Sequence, residues 1–341
     1  MKRILSGIFG LATLAAVAWV AWWFIGAEGQ RTAFELWLEK QRERGWQAEA
    51  AKVEMTGFPG AFKLAVTDLN LADPKNNWAW NAPTLNAESS ATAPTRIAVG
   101  WPATQTLGTT TEKVTVVAKP LTTLLDLRPG PSMELREAAT DVKGLVIKAR
   151  SGWTGGAKSV DLNIAEKPED LAPPNSYDFR GTALDVKIPK ELLDNLDPTG
   201  LLKPSVEKVT LVGHAAFDDP IDRLTIEESR LAVRAGTIRE AGFSWGEMKL
   251  VLKGSFRVDD AGYPVGKLQV EAREWRRIVD LAVKSGAIGP DLAETITGAV
   301  EIVTALSGGG DTLKLPLGLA DGSITIGPFA IADAPRLAPP R

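Results

Sequence analysis

The pattern closest to an enzyme nucleophile is Gly242-Phe243-Ser244-Trp245-Gly246, which fits the G-x-S-x-G elbow of serine hydrolases. In that elbow a strand precedes the serine, a helix follows it, and the hydroxyl is exposed at the turn between them. Here the residues that follow the serine alternate as a strand does. His214, the single histidine, also precedes Ser244, whereas the fold that uses this elbow places its histidine later. The motif therefore favours a strand entry with two glycines.

His214 lies in a strand-like stretch, 209–217, where a lone histidine is more typical of a structural role than of catalysis. Glu227 and Glu228 are treated as strand neighbours, whose side chains point to opposite faces and cannot act as an acid–base pair. The glycine triplet at 308–310 is followed by Asp311 and lacks the lysine of a phosphate-binding loop. No catalytic or cofactor-binding residue is predicted.

Three carboxylates, Asp218, Asp219 and Asp222, surround Pro220. They lack the glycine and the distal glutamate of a calcium-binding loop, so a turn between strands is favoured. The chain has no cysteine and one histidine, which excludes disulfides, thiolate nucleophiles and cysteine-ligated metals. We therefore predict no metal site and expect a protein that is not an enzyme, with a carboxylate-based hydrolase as the open alternative.

Charge and hydropathy place the protein at a membrane. The formal net charge of −3 argues against a nucleic-acid partner, which requires a basic face. Residues 4–25 form an uncharged apolar run that is long enough to span a bilayer, preceded by Lys2 and Arg3. By the positive-inside rule, the N-terminus is cytoplasmic and the rest is exported, which predicts the bacterial inner membrane with the bulk of the chain in the periplasm. A cleaved signal peptide, with a small-x-small site at 16–18, remains the alternative to a retained anchor.

Tryptophans near the outer end of this run, Trp19, Trp22 and Trp23, are predicted to lie at the membrane–water interface. An amphipathic helix follows at 31–45, with Phe34, Trp37, Leu38 and Gln41 on one side and Gly45 as its cap.

Beyond this helix, one-sided strands predominate. Residues 62, 64 and 66 are apolar, and the apolar phase then shifts to 69 and 71, as at a bulge. Strands at 248–258 and 268–272 flank a turn at 259–262 and predict a hairpin with one apolar and one polar face. Two helices and a last strand pair follow.

The predicted fold class is α+β: a β-rich, largely antiparallel twisted sheet with a few amphipathic helices, preceded by one N-terminal transmembrane helix. Residues 1–27 are the cytoplasmic tip and anchor, 28–333 the periplasmic β-rich domain, and 334–341 a Pro-rich tail expected to fray. The stretch 166–178, rich in proline, is the best candidate for a division of the domain into two halves.

Several short stretches resemble, as an ordered set, a family of bacterial envelope proteins catalogued as domain of unknown function 2125. They are Gly57-Phe58-Pro59 with Phe62, Ala72-Asp73-Pro74 with Trp78 and Ala82-Pro83, the segment 101–107, Trp245-Gly246, Asp260-Ala261-Gly262, Leu315-Pro316-Leu317, Asp321-Gly322 and Gly327-Pro328. The resemblance implies no activity or functional residue. In general architecture, the family is similar to larger envelope proteins implicated in lipid transport and outer-membrane assembly, and such likeness is a poor guide to function.

Two hypotheses of function follow. The first is a membrane-anchored, non-enzymatic periplasmic protein that binds or helps transport lipid or another apolar ligand, because its strands have long apolar stripes that two helices need not cover completely. The alternative is a structural or assembly factor that docks another envelope protein through its sheet surface or edge. The loops Gly57-Phe58-Pro59 and Trp101-Pro102 are the candidate functional loops, although such turns commonly only set chain direction.

Overall fold

The computed structural model describes residues 2–168, 170–197, 200, 202–228, 230–306, 312–327 and 329–340. Side chains are described from residue 13 onward, except at 299, 302–306 and 329. Eighteen strands and five helices lie within these residues, and the pairings whose registers are resolved are antiparallel. The prediction of a β-rich antiparallel sheet with a few helices is confirmed. The chain divides into two compact units, Met1–Asp126 with Ala149–Ser151, and Leu127–Lys148 with Gly152–Arg341.

Unit 1 contains one long helix and a set of paired strands. The elements are α1 (Lys2–Glu43), β1 (Gln47–Glu49), β2 (Lys52–Thr56), β3 (Ala61–Asp73), β4 (Trp78–Ser90), β5 (Ala93–Trp101), β6 (Thr104–Gly108), β7 (Lys113–Val117) and β8 (Leu121–Leu127). β3 pairs with β1 and β2 on one edge and with β4 on the other, and β4 continues to β5 and β6. β5 pairs with β8, and β6 pairs with β7.

Helix α1 is continuous from Lys2 to Glu43, whereas the sequence predicted an apolar helix and a separate amphipathic one. The helix continues through Gly26 and Gly29. It ends just before Gly45, which has φ +93°, a left-handed conformation that glycine adopts readily. Leu38 and the side of the helix near it pack on Val66 and Leu69, as the amphipathic pattern predicted. Within the part of the chain that the structure describes, no helix is long and apolar enough to cross a membrane.

The shift of apolar phase in β3 occurs at Asp68, which has φ +50°. Phe62 and Val66 are buried before it, and Leu69 and Leu71 are buried after it. The register of β3 with β4 is the same on both sides of Asp68, so no residue is inserted. The predicted phase shift is confirmed, but a left-handed residue produces it and not a bulge.

Unit 2 contains an antiparallel meander of ten strands. These are β9 (Leu135–Ala149), β10 (Thr154–Glu166), β11 (Ser176–Lys187), β12 (Ser205–Phe217), β13 (Val233–Trp245), β14 (Met248–Val258), β15 (Pro264–Arg273), β16 (Thr312–Ala320), β17 (Ser323–Ile326) and β18 (Phe329–Asp333). Each strand pairs with the next in the chain. The β14–β15 hairpin has the predicted turn, in which the amide of Gly262 donates to the carbonyl of Asp259 at 3.0 Å.

Four helices accompany this meander. α2 (Lys190–Leu196) and α3 (Arg223–Glu227) are short connections, whereas α4 (Trp275–Lys284) and α5 (Pro290–Leu306) match the two predicted amphipathic helices. Trp275 of α4 and Val300 of α5 are buried in one cluster with Leu313 and Leu315 of β16. The helices therefore form a core with the β14–β16 part of the sheet.

Two expectations about chain organisation are corrected. The stretch 166–178 joins β10 to β11, which pair with each other inside unit 2, and the division falls near residue 127. The tail from Ala334 packs on the sheet: the amide of Leu337 donates to the carbonyl of Gly262 at 2.8 Å, and Ala338 is buried. Because Gly262 has no Cβ, the carbonyl of Ala338 can approach it closely.

Candidate functional site

The G-x-S-x-G serine lies within a strand and not at an elbow. Ser244 is near the end of β13, paired with Lys208 on β12 and with Lys249 on β14. His214 pairs with Thr237, six residues along β12 from Lys208, so it lies about 20 Å from the serine. The strand entry predicted here is wrong, because these residues end β13, but a strand, β14, follows the serine as expected in place of a helix, and the geometry offers no serine–histidine pair.

The predicted carboxylate turn has partners of its own. Asp222 caps α3 by accepting a hydrogen bond from the amide of Thr225 at 2.7 Å, and Asp218 accepts one from Nε of Arg234 at 2.8 Å. Glu227 ends α3 and Glu228 follows it, so the strand predicted for this pair is wrong, since the cap at Asp222 starts a helix. Among the described residues, no three His, Cys, Asp or Glu side chains form a metal-binding group. The glycine triplet 308–310 lies outside the described residues.

The loop Gly57-Phe58-Pro59 connects β2 to β3 and lies against helix α1. Gly57 has φ +102°, and a Cβ there would lie 2.7 Å from the carbonyl oxygen of Ala61, so the loop requires glycine at this position. The Phe58–Pro59 peptide bond is cis. The indole nitrogen of Trp19 donates to the carbonyl of Pro59 at 3.0 Å. One predicted functional loop and one predicted interface tryptophan therefore meet.

Aromatic rings from both segments form a group that we call the aromatic junction: Trp19, Trp23, Phe24, Phe58 and Phe62. Trp23 stacks on Phe62 with ring centroids 5.8 Å apart, and Phe24 stacks on Phe58 at 5.9 Å. The indole of Trp23 donates to the carbonyl of Ala61 at 2.7 Å. Trp23 and Phe62 are buried, whereas Phe24 and Phe58 remain exposed. The junction holds α1 on the sheet of unit 1 and presents part of its aromatic surface outward.

The three predicted interface tryptophans have different environments. Trp23 is enclosed by protein, whereas Trp22 is 50% exposed and Trp19 is 37% exposed. Only Trp19 and Trp22 therefore have indole surface for an outside contact.

The second candidate loop, Trp101-Pro102, does not join the aromatic junction. The indole of Trp101 donates to the hydroxyl of Thr123 at 2.8 Å, and its ring lies 5.8 Å from that of Trp80. Pro102 is buried. These contacts fix the turn between β5 and β6, and we assign no ligand to it.

One face of the unit 2 sheet forms an organised apolar surface across β10–β16. Three consecutive rows of cross-strand neighbours contain only apolar residues and glycine. The rows are Val160–Ala183–Val209–Phe243–Leu250–Ala272–Leu313, Leu162–Gly181–Leu211–Ala241–Leu252–Val270–Leu315, and Ile164–Phe179–Gly213–Ile238–Gly254–Leu268–Leu317. We call these rows the apolar face. Seven strands span about 29 Å, and three rows span about 13 Å along the strands.

The apolar face is covered at one end and exposed at the other. At β15–β16, helices α4 and α5 pack on it, so that Leu315 is only 4% exposed. At β10–β12, Leu162 is 49% exposed, Leu211 is 52% and Val209 is 40%. Gly181 lies between Leu162 and Leu211 in the register and leaves the surface shallow there. The exposed part, around Leu162, Val209 and Leu211, is the second candidate site.

The sequence predicted stripes on single strands, but not this surface. The alternation of β14 and β15 was clear, whereas β13, which contributes Ile238, Ala241 and Phe243, was not predicted as a strand. The register between neighbouring strands decides whether the apolar residues of each strand align into rows across the sheet. The sequence of a single strand does not contain that register.

Comparisons with known proteins identify a family. A model of the family described as "Uncharacterized protein conserved in bacteria (DUF2125)" matches residues 23–335. The match includes the aromatic junction from Trp23 onward and the whole apolar face, and it confirms the resemblance that the sequence indicated. No curated protein and no solved structure matches the chain.

Proposed function

The chain belongs to this bacterial family, and we propose that it is a membrane-anchored periplasmic protein that holds an acyl chain of a lipid on its apolar face, without catalysis. The single observation that carries the proposal is the set of three apolar rows, buried under helices at β15–β16 and exposed at β10–β12. Exposed apolar patches of this kind are typical of interaction sites.

An acyl chain suits this surface better than a small polar ligand does. The rows of the apolar face have no hydrogen-bonding side chain, so recognition there depends on burial of apolar area. The exposed part at β10–β12 spans about 10 Å across the strands and about 13 Å along them, which accommodates part of an extended hydrocarbon chain.

The anchor is supported by the sequence and by the surface of α1. Residues 4–25 carry no charge. Between Leu14 and Ile25, large apolar side chains are exposed, among them Val17 and Ile25. Below them, the aromatic junction fastens the helix to unit 1, and Trp22 supplies an indole suited to the membrane–water interface.

The test of lipid binding uses the full chain in non-ionic detergent, because truncation before residue 28 would remove Trp23 and Ala27 from a buried cluster. We expect native mass spectrometry to show one bound phospholipid and titration with pyrene-labelled phosphatidylglycerol to saturate. Leu211→Gln should weaken binding about fivefold, since half of a leucine burial contributes about 1 kcal/mol. Leu162→Gln combined with Leu211→Gln should weaken it about 30-fold.

Leu184→Gln is the matched control. Leu184 lies on β11 and is 39% exposed, but the register places it opposite Ser159 and Lys208, on the other face of the sheet. Binding that is unchanged by Leu184→Gln and weakened by Leu211→Gln supports the proposal. An absence of bound lipid, or equal loss in both variants, contradicts it, and crosslinking to a protein at position 211 would favour the assembly-factor alternative.

Location is tested separately. The chain has no cysteine, so Lys119→Cys at an exposed turn provides one labelling site. We expect a membrane-impermeant maleimide to label it in spheroplasts, and the protein to fractionate with the inner membrane. Labelling only after lysis would contradict export. The intact mass of the mature chain decides between a retained anchor and a cleaved signal peptide.

A further inference from the structure

A pocket of about 540 Å³ lies on the face of unit 2 opposite to the apolar face, and its lining combines apolar residues such as Phe256 and Val265 with hydrogen-bonding side chains. Two adjacent register rows form its wall. The first row is His214–Thr237–Ser255–Lys267, across β12–β15. The second is Ser176–Ala216–Ala235–Arg257, across β11–β14. Directly opposite residues in such rows lie about 5 Å apart.

The order of side chains in these rows creates the space. In the second row, two alanines separate the hydroxyl of Ser176 from the guanidinium-bearing Arg257. In the first row, the hydroxyl-bearing Thr237 and Ser255 lie between His214 and Lys267. Small residues thus form the floor, and hydrogen-bonding groups surround it.

Ser176 lies behind the wall of the pocket. It is only 1% exposed, and its hydroxyl is closed to solvent and has no hydrogen-bond partner among the described residues. A ligand in the pocket would therefore contact the accessible side chains of Thr237, Ser255, Arg257 and Lys267 and not this hydroxyl.

The charge of the pocket selects the class of ligand. Arg257 and Lys267 line it, no carboxylate is among its described lining residues, and neither cation forms an ion pair with a described residue. Burial, and after it the charge of Lys167, lowers the pKa of His214, and Asp178, which lies opposite His214 on β11 and accepts a hydrogen bond from Arg239, acts against this shift. The two lining cations would favour an anion.

We propose that this pocket binds a phosphate group, as the free ion, as a small phosphomonoester or as a lipid headgroup. A phosphate presents three or more acceptor oxygens, which match a guanidinium, an ammonium and several hydroxyls arranged around one space. The pocket lies on the opposite face from the apolar rows, so the proposal does not depend on acyl-chain binding there.

The test is isothermal titration of the full chain in non-ionic detergent with inorganic phosphate and with glycerol phosphate. We expect one saturable site, weakened at least tenfold by Arg257→Gln or by Lys267→Gln. Lys249→Gln is the control, since Lys249 lies on the same face of β14, eight residues or about 26 Å from Arg257. It removes the same charge and should change the affinity less than twofold.

Mixed micelles that contain phosphatidic acid distinguish the sources. If a headgroup occupies the pocket, these micelles will compete with inorganic phosphate, and Arg257→Gln will abolish the competition. If only soluble phosphates bind, the titration will be unchanged. Absence of saturable binding by all three probes, or equal weakening by Lys249→Gln, overturns the proposal. Thermal unfolding of each variant verifies that a loss of binding is not a loss of fold.

Discussion

Two glycines of α1 provide a direct test of how the helix is held. Gly26 faces the sheet, and a Cβ built on it would lie 2.9 Å from Cζ and 3.1 Å from Cε1 of Phe62. At Gly29, one turn later, a Cβ would meet no atom within 4 Å. Gly26→Ala and Gly29→Ala therefore add the same methyl group to the same helix in different surroundings.

The expected magnitudes follow from this geometry. Replacing a helical glycine by alanine stabilises a helix by about 1 kcal/mol, which both variants gain. The Phe62 ring is 1% exposed and stacked on Trp23, so it cannot move without disturbing the junction. Overpacking at such a site costs about 1–3 kcal/mol. Gly29→Ala should raise the free energy of unfolding by about 1 kcal/mol. The free energy of unfolding of Gly26→Ala should be about 1–3 kcal/mol lower than that of Gly29→Ala.

The assay is urea denaturation of the full chain in non-ionic detergent, followed by tryptophan fluorescence. Combining Gly26→Ala with Phe62→Leu should recover part of the loss, because the shorter side chain leaves room for the methyl group, and a double-mutant cycle measures this coupling. Equal effects of the two alanine variants, or no coupling with Phe62→Leu, would refute the packing of α1 on β3.

Two further predictions concern unit 2. Asp222→Ala removes the cap that Asp222 and Thr225 form at α3, so it should lower the free energy of unfolding by about 0.5–2 kcal/mol. Asp219→Ala removes no cap and should change the free energy of unfolding little. Urea denaturation measures both variants. Burial, and after it the charge of Lys167, lowers the pKa of His214 below 6.5 in the folded chain. As the pH falls, the unfolded chain therefore binds a proton at this imidazole before the folded chain does. The stability that the neutral imidazole contributes above pH 6.5 is lost as the pH falls further. Denaturation at pH 7.5 and pH 5 should show a larger loss for the native chain than for His214→Gln, and equal losses would disprove the assignment.

Local patterns predicted local structure well. The β14–β15 hairpin was predicted from strict alternation on both sides of a turn at 259–262, and β14 has the predicted bounds. The phase shift near Asp68 was visible because burial follows side-chain direction. β4 was missed, since its Asn, Ser and Ala residues and Pro83 have low strand propensity, and pairing with β3 overrides that preference.

The candidate sites depended on non-local features. The aromatic junction joins Trp19 and Phe58, almost forty residues apart, and the sequence singled out both without indicating that they meet. The pocket of unit 2 was not predicted at all, because its lining residues come from four strands, and only the register brings residues such as Ala216 and Arg257 into one row. Single-sequence patterns do not contain that register.

The central claim, that the exposed part of the apolar face holds a lipid, is tested most directly by photocrosslinking. A benzophenone amino acid placed at position 211, and in a separate variant at position 184, is activated in membranes that contain labelled phospholipid. Leu211 lies in the middle apolar row and Leu184 on the opposite face, with similar exposure. We predict lipid adducts at 211 and few at 184. Equal labelling at the two positions, or none at 211, would contradict the account.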